Sequence, residues 1–182
     1  SYPTYGFFTS ADGGEAFDAN AGPNLALSSL VLAAQRAGRF WAVGAPPGVK
    51  ERSLYVSNDD GKGWAPVALP VPGDCSKVAL AASPADGSVL YVTVENGGVL
   101  RSRDGGQSFV WQSKPSSGYY SALLVDPSDE NTVYVAGSAR VEPQQSRTGI
   151  FVSHDGGASF EPAGRGMLPL TEIESLVIDP QS

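Results

Sequence analysis

One eight-residue pattern, returning four times along the chain, restricts the fold more than any other feature of the sequence. Ser10-Ala11-Asp12-Gly13-Gly14-Glu15-Ala16-Phe17 returns as Ser57-Asn58-Asp59-Asp60-Gly61-Lys62-Gly63-Trp64, as Ser102-Arg103-Asp104-Gly105-Gly106-Gln107-Ser108-Phe109 and as Ser153-His154-Asp155-Gly156-Gly157-Ala158-Ser159-Phe160. All four read Ser-x-Asp-x-Gly-x-x-aromatic, and their serines lie 47, 45 and 51 residues apart. An interval of that size holds about four strands with their turns, and its repetition marks an array of similar units.

The octet has the chemistry of a turn. Serine and aspartate side chains replace ladder hydrogen bonds where a chain reverses, glycine takes up positive φ, and the aromatic packs back between sheets. Each copy follows an apolar strand-like run, at residues 5–9, 53–56, 99–101 and 150–152. Two further runs precede each of the last three copies, at 29–34 and 40–44, 78–82 and 89–94, and 122–125 and 133–137. These runs are rich in Val, Leu, Tyr and Phe, as strands require, and turns such as Asp126-Pro127-Ser128-Asp129-Glu130-Asn131 separate them. The spacing therefore predicts an all-β chain of four-stranded antiparallel meanders. Leu30-Val31-Leu32-Ala33-Ala34 and Ala122-Leu123-Leu124-Val125 are almost wholly apolar, which suits strands covered on both faces.

At the level of these repeats the sequence resembles the Asp-box, or BNR-repeat, β-propellers. That group includes sialidases, xyloglucan-degrading glycoside hydrolases, sortilin-type receptors and photosystem assembly factors. The Asp-Pro turns at Asp126-Pro127 and Asp179-Pro180, with Thr132-Val133-Tyr134-Val135-Ala136-Gly137, look most like the hydrolase, sortilin and assembly-factor branch. The resemblance implies a propeller with blades at about 1–22 (partial), 23–71, 72–115, 116–168 and 169–182 (partial). A partial blade at each end leads us to expect an incomplete segment of a larger ring, whose open sheet edges favour association. Ser10, Asp12, Gly14 and Phe17 then form the first structural Asp-box; Ser57, Asp59, Gly61 and Trp64 the second; Ser102, Asp104, Gly106 and Phe109 the third; and Ser153, Asp155, Gly157 and Phe160 the fourth.

Charge narrows the functional classes. With 12 Lys plus Arg against 19 Asp plus Glu, the net charge is -7, which opposes a nucleic-acid partner. No apolar run approaches the roughly 20 residues of a membrane span. The one cysteine, Cys75, and the one histidine, His154, provide neither a disulfide framework nor a thiolate metal site. Neither metal nor cofactor is expected. Asp59-Asp60-Gly61 and Asp126 to Asn131 lack the twelve-residue calcium loop, and no Lys-Ser/Thr follows the glycine pairs.

Propeller geometry sets the octets on one rim and the second-to-third-strand and blade-to-blade loops on the other. The second rim is the expected recognition surface. It includes residues 45–52, 95–98 and 138–148 and the connections 72–75, 116–120 and 164–167. Tyr119 and Tyr120 offer stacking surfaces, although one of the two is expected to enter the core, and Arg140 and Arg147 offer polar contacts for a protein or glycan. The leading expectation is a non-catalytic recognition or scaffold module. The alternative is part of a glycoside hydrolase, closer to a xyloglucanase than to a sialidase because the Arg-Ile-Pro signature is missing. Its candidate carboxylates are Asp74 and Glu142, with Glu51 and Glu95 on the same rim. The acidic balance and the habit of the family point to an extracytoplasmic location.

Overall fold

The computed structural model describes residues 7–19, 25–32, 37–49, 52–71, 78–115, 119–138, 149–166, 173 and 175–179, and all regular structure among them is strand. A two-stranded sheet pairs β1 (Phe8–Thr9) with β2 (Asp18–Ala19). Three four-stranded sheets follow. Sheet 1 contains β3 (Ala26–Leu32), β4 (Phe40–Ala45), β5 (Ser53–Ser57) and β6 (Ala65–Val67). Sheet 2 contains β7 (Val78–Ala82), β8 (Leu90–Val94), β9 (Gly98–Ser102) and β10 (Val110–Trp111). Sheet 3 contains β11 (Tyr119–Val125), β12 (Val133–Ser138), β13 (Gly149–Ser153) and β14 (Glu161–Pro162). Within each sheet the strands are antiparallel and adjacent in chain order.

The first strands stand side by side, β3 next to β7 and β7 next to β11, so the sheets stack face to face. Trp41, Val43 and Leu54 of sheet 1 meet Leu80, Leu90 and Val92 of sheet 2 in one buried cluster. The opposite face of sheet 2 supplies Tyr91 and Val99 to a second cluster with Val125, Val133 and Val135 of sheet 3. Neighbouring residues of β8 thus face different sheets, which is why that strand is buried throughout and reads as a continuous apolar run. Each fully buried Leu or Val contributes about 1.5–3 kcal/mol through removal from water.

Strand boundaries depart from the sequence reading in one instructive way. β3 and β11 begin three residues earlier than the apolar runs suggest, and each has a bulge, between Leu27 and Ser29 and between Tyr120 and Ala122. The extra residue breaks the in-out alternation, so periodicity alone truncates the strand at that point. The bulge also decides the fate of Tyr120. Only 4% exposed, it packs with Val133 and Val135 between sheets 2 and 3, so it is a core residue rather than the ligand platform considered above.

The first octet joins β1 to β2, and the other three form the corners between the third and fourth strands of sheets 1 to 3, where each is tied to the first-to-second-strand turn of its own sheet. Asp60 N donates to Gly38 O at 2.9 Å, Gly105 N to Ser88 O at 2.8 Å and Gly156 N to Asn131 O at 2.9 Å. Both sets of turns therefore share one rim. Each of these three corners also seats a side chain that comes from before it in the stack. Phe7 lies against Gly61 and meets Phe40 and Trp64 edge-on. Arg39, stacked 4.8 Å from the Trp41 ring centre, donates to Gly105 O at 2.6 Å. Arg101, 5.3 Å from the Tyr91 ring centre, donates to Asn131 Oδ1 at 2.9 Å and lies on Gly156. Arg101 also faces Glu130 at 3.4 Å, and the Tyr91 hydroxyl donates to the Glu130 carbonyl at 2.8 Å.

Paired corner glycines separate backbone strain from this packing. Gly13 and Gly156 have φ of 78° and 74°, but a Cβ on Gly13 meets nothing within 4 Å, whereas one on Gly156 collides with the Arg101 guanidinium. Gly13→Ala is expected to cost about 1–2 kcal/mol, the left-handed penalty alone. Gly156→Ala is expected to cost at least about 2 kcal/mol more, because a buried charged group must move. Urea unfolding of the two variants tests this, and equal losses would refute the arginine seat.

Candidate functional site

The two rims differ in what their polar groups are free to do. On the corner rim, one hydrogen-bond pattern occurs four times. Ser10, Ser57, Ser102 and Ser153 each donate Oγ–H to Oδ1 of the aspartate two residues on, at 2.6, 2.8, 2.8 and 2.8 Å. The same oxygens accept the amides of Gly14, Gly61, Gly106 and Gly157 at 2.8, 2.9, 2.8 and 2.8 Å. The aspartates also accept amides four residues on, from Ala16, Gly63, Ser108 and Ser159, at 3.0, 2.8, 2.9 and 2.9 Å. Such bonds favour the ionised carboxylate. The Ser108 hydroxyl, followed by the Ser108 amide and Ser102, holds Asp104 far below the usual range. The Ser159 hydroxyl, with the Ser159 amide and Ser153, lowers Asp155 from 3.8 to about 2. Asp12 is lowered chiefly by Ser10, and Asp59 by the Gly63 amide.

The other polar strings are also turns. Asp126 Oδ1 accepts Ser128 N at 2.8 Å and Ser128 Oγ at 2.7 Å, while Asp129 accepts Asn131 N at 3.0 Å and Thr132 Oγ1 at 2.7 Å. Because that threonine hydroxyl donates to Asp129, the 3.1 Å contact with His154 Nδ1 is one in which the ring donates. Among the described residues, no group of three His, Cys, Asp or Glu side chains is arranged to hold a metal ion. No helix of the described residues is long and apolar enough to cross a membrane.

Several candidates on the long-loop rim, Asp74, Glu142, Arg140, Arg147 and Glu51, lie outside the described residues. Tyr119 opens β11 opposite Ser138, and only its backbone is described. The described part of this rim is firmly built. Asn96 turns the chain between β8 and β9 at φ 56°, and its carbonyl accepts Lys114 Nζ at 2.7 Å. Trp111 donates Nε1–H to Pro70 O at 3.1 Å and lies so close to Gly97 that a Cβ there would be 2.9 Å from its ring. The sequence reading passed over Trp111 because it follows a corner aromatic by two residues and belongs to no loop. Its partly exposed ring beside residues 95–98 shows only once β10 is paired with β9.

Two of the described concavities lie on the corner rim, the rim opposite the expected recognition surface. A cleft of about 320 Å³ between sheets 1 and 2 is lined by Arg39, Asp86, Ser88, Asp104 and Gln107. Another of about 390 Å³ between sheets 2 and 3 is lined by Arg101, Arg103, Asp104, Gln112 and Asp155. Both are open and of mixed charge, and the corner aspartates that line them already hold hydrogen bonds within their own turns.

No family model and no curated protein sequence matches the chain. Solved structures do match in shape. An ancestral GH74 enzyme superposes with a TM-score of 0.71 at 14% identity, over 91% of this chain and 24% of its own. The GH74 xyloglucanase from Xanthomonas campestris gives 0.57 at 17% identity, over 79% and 24%. YCF48 bound to a D1 peptide gives 0.56 at 18% identity, over 75% and 38%. The chain thus spans about a quarter of the length of these GH74 enzymes. At such identities the likeness is one of fold: the three sheets are consecutive blades of a β-propeller.

Corner electrostatics predict an acid limit. The unfolded aspartate titrates near 3.8 and folded Asp155 near 2, so its contribution to stability is complete above the unfolded value and is lost as the pH falls towards 2. Urea midpoints are expected to drop steeply over that interval. Asp104→Asn with Asp155→Asn is expected to lower the midpoint at neutral pH and flatten the acid slope. An unchanged slope would refute the assignment.

Proposed function

We propose that the four corners are Asp-boxes in the sense of the family named above, and that the chain is a recognition module binding a protein or glycan on its long-loop rim. The observation that carries this reading is the division of labour between the rims. The corner aspartates are ionised and engaged in their own turns, which suits fastening and opposes a proton-donating role, because a general acid needs a raised pKa. The opposite rim combines loops on a rigid scaffold with the partly exposed Trp111 and the anchored Lys114. YCF48, a propeller of the same architecture, has been solved with a D1 peptide, and this supports protein as one class of ligand.

The second reading is part of a glycoside hydrolase, and the fold shared with the Xanthomonas campestris xyloglucanase supports it. In that case Asp74 and Glu142 are the carboxylates of this chain to examine, with partners beyond it.

Binding to an immobilised polysaccharide array and to a random peptide library tests the first reading. A ligand is expected to lose at least about tenfold in affinity, roughly 1.4 kcal/mol, on Tyr119→Ala, Arg140→Ala or Arg147→Ala. Binding unchanged by all three would remove the rim from the proposal. Xyloglucan hydrolysis abolished by Asp74→Asn or Glu142→Gln would replace it with the enzyme reading.

A further inference from the structure

The cleft of about 390 Å³ on the corner rim lies in the seam between sheets 2 and 3, which pack on each other within the chain. Its charged groups are fixed in place and keep bonding capacity. Arg101 is part of the wall: it is 6% exposed, donates to Asn131 Oδ1 at 2.9 Å and faces Glu130 at 3.4 Å. Asp104 and Asp155 are held by their own corners. In each, Oδ1 accepts the corner serine and the amide four residues on from that corner's aspartate. Oδ2 accepts a single hydroxyl, from Ser108 at 2.5 Å in one and from Ser159 at 2.6 Å in the other. A carboxylate oxygen has two acceptor sites, so one stays open on each Oδ2.

Arg103 is the lining group that the corner does not explain. Its place in the octet is taken by Ala11, Asn58 and His154 in the other copies, so the turn does not require it. Although it shares the cleft with two carboxylates, among the described residues it forms no ion pair with either. The aspartates are kept from it by the serines that hold them. Opposite charges thus stand apart across a hollow. Gln112, just after β10, adds an amide whose Nε2 donates to Val110 O at 3.3 Å, and the Val110 side chain, 63% exposed, adds an apolar wall.

We infer that this cleft binds a neutral polyol such as a sugar ring. One hydroxyl accepts from a guanidinium and donates to a carboxylate at the same time, so a ligand with several hydroxyls engages Arg103, Gln112 and both Oδ2 atoms together. The lining charges, Arg101 and Arg103 against Asp104 and Asp155, cancel. A phosphate would meet two fixed carboxylates, and an ammonium would meet two guanidinium groups. The C–H groups of a polyol suit Val110, and the volume is that of a small-molecule site. The cleft is on the rim opposite the recognition surface proposed above, and the inference does not rest on that reading.

Amide shifts of the full chain, followed by NMR during titration with glycerol, myo-inositol, glucose and cellobiose and separately with phosphate and spermidine, test it. At least one of the four polyols is expected to give saturable shifts at Ser108, at Gln112 and at Gly157, which lies beside Gln112. Phosphate and spermidine are expected to give none there. Arg103→Ala is expected to weaken the polyol at least about tenfold while leaving the circular dichroism and the urea midpoint unchanged, because Arg103 holds nothing in the corner. Gln112→Ala is expected to weaken it less. No saturable shift at these amides with any of the four polyols would overturn the inference. Saturation by phosphate or spermidine instead, or polyol binding untouched by Arg103→Ala, would do the same.

Discussion

A serine hydroxyl that donates to an aspartate while accepting a glycine amide four residues on holds every corner of this molecule. The arrangement uses both roles of one oxygen, so the third strand can stop and the fourth can begin with backbone groups satisfied. Two consecutive left-handed residues are the conformational cost of the turn, and glycine meets it at seven of eight places; Asp60, at φ 60°, is the exception. The same left-handed pair brings glycine Cα atoms to the surface of the corner, where a side chain from the preceding sheet can lie. Turn chemistry and sheet-to-sheet packing therefore depend on one another.

That coupling explains why charged groups are buried between apolar sheets. Arg39 lies just before β4 and Arg101 within β9, yet both guanidinium groups stack on the second-strand aromatic and reach the next sheet's turns. A guanidinium tolerates such a place because its flat face is weakly hydrated while its edge donates to fixed carbonyl and amide oxygens. Burial between the sheets also pushes the Tyr91 phenol up to about 12, keeping its proton available for the Glu130 carbonyl.

Much of this was legible in the sequence, and for a local reason. Every atom of a corner lies within eight consecutive residues, so the repeated octet specifies its own geometry, and the apolar runs between octets supply the other strands. What was hidden depends on distant partners. The bulges in β3 and β11 shift the register by one residue without any glycine or proline to announce them. The arginine seats join residues such as Arg39 and Gly105 that share no local signal, and Trp111 becomes a rim residue only through pairing with β9. Of the proposed ligand residues, Tyr120 illustrates the ambiguity of adjacent aromatics: alternation sends one of two neighbours inward, and a bulge determines which.

Native-state amide exchange at the corner glycines is the most direct test of the account. The amides of Gly61, Gly106 and Gly157 donate to buried serine oxygens, while that of Gly14 makes the same bond at an exposed corner. If the corners fasten one sheet to the next, the three buried amides exchange only through global unfolding and Gly14 exchanges through local opening. Exchange of all four at the rate of Gly14 would mean that the corners are mere turns and that the stack is held by its apolar clusters alone.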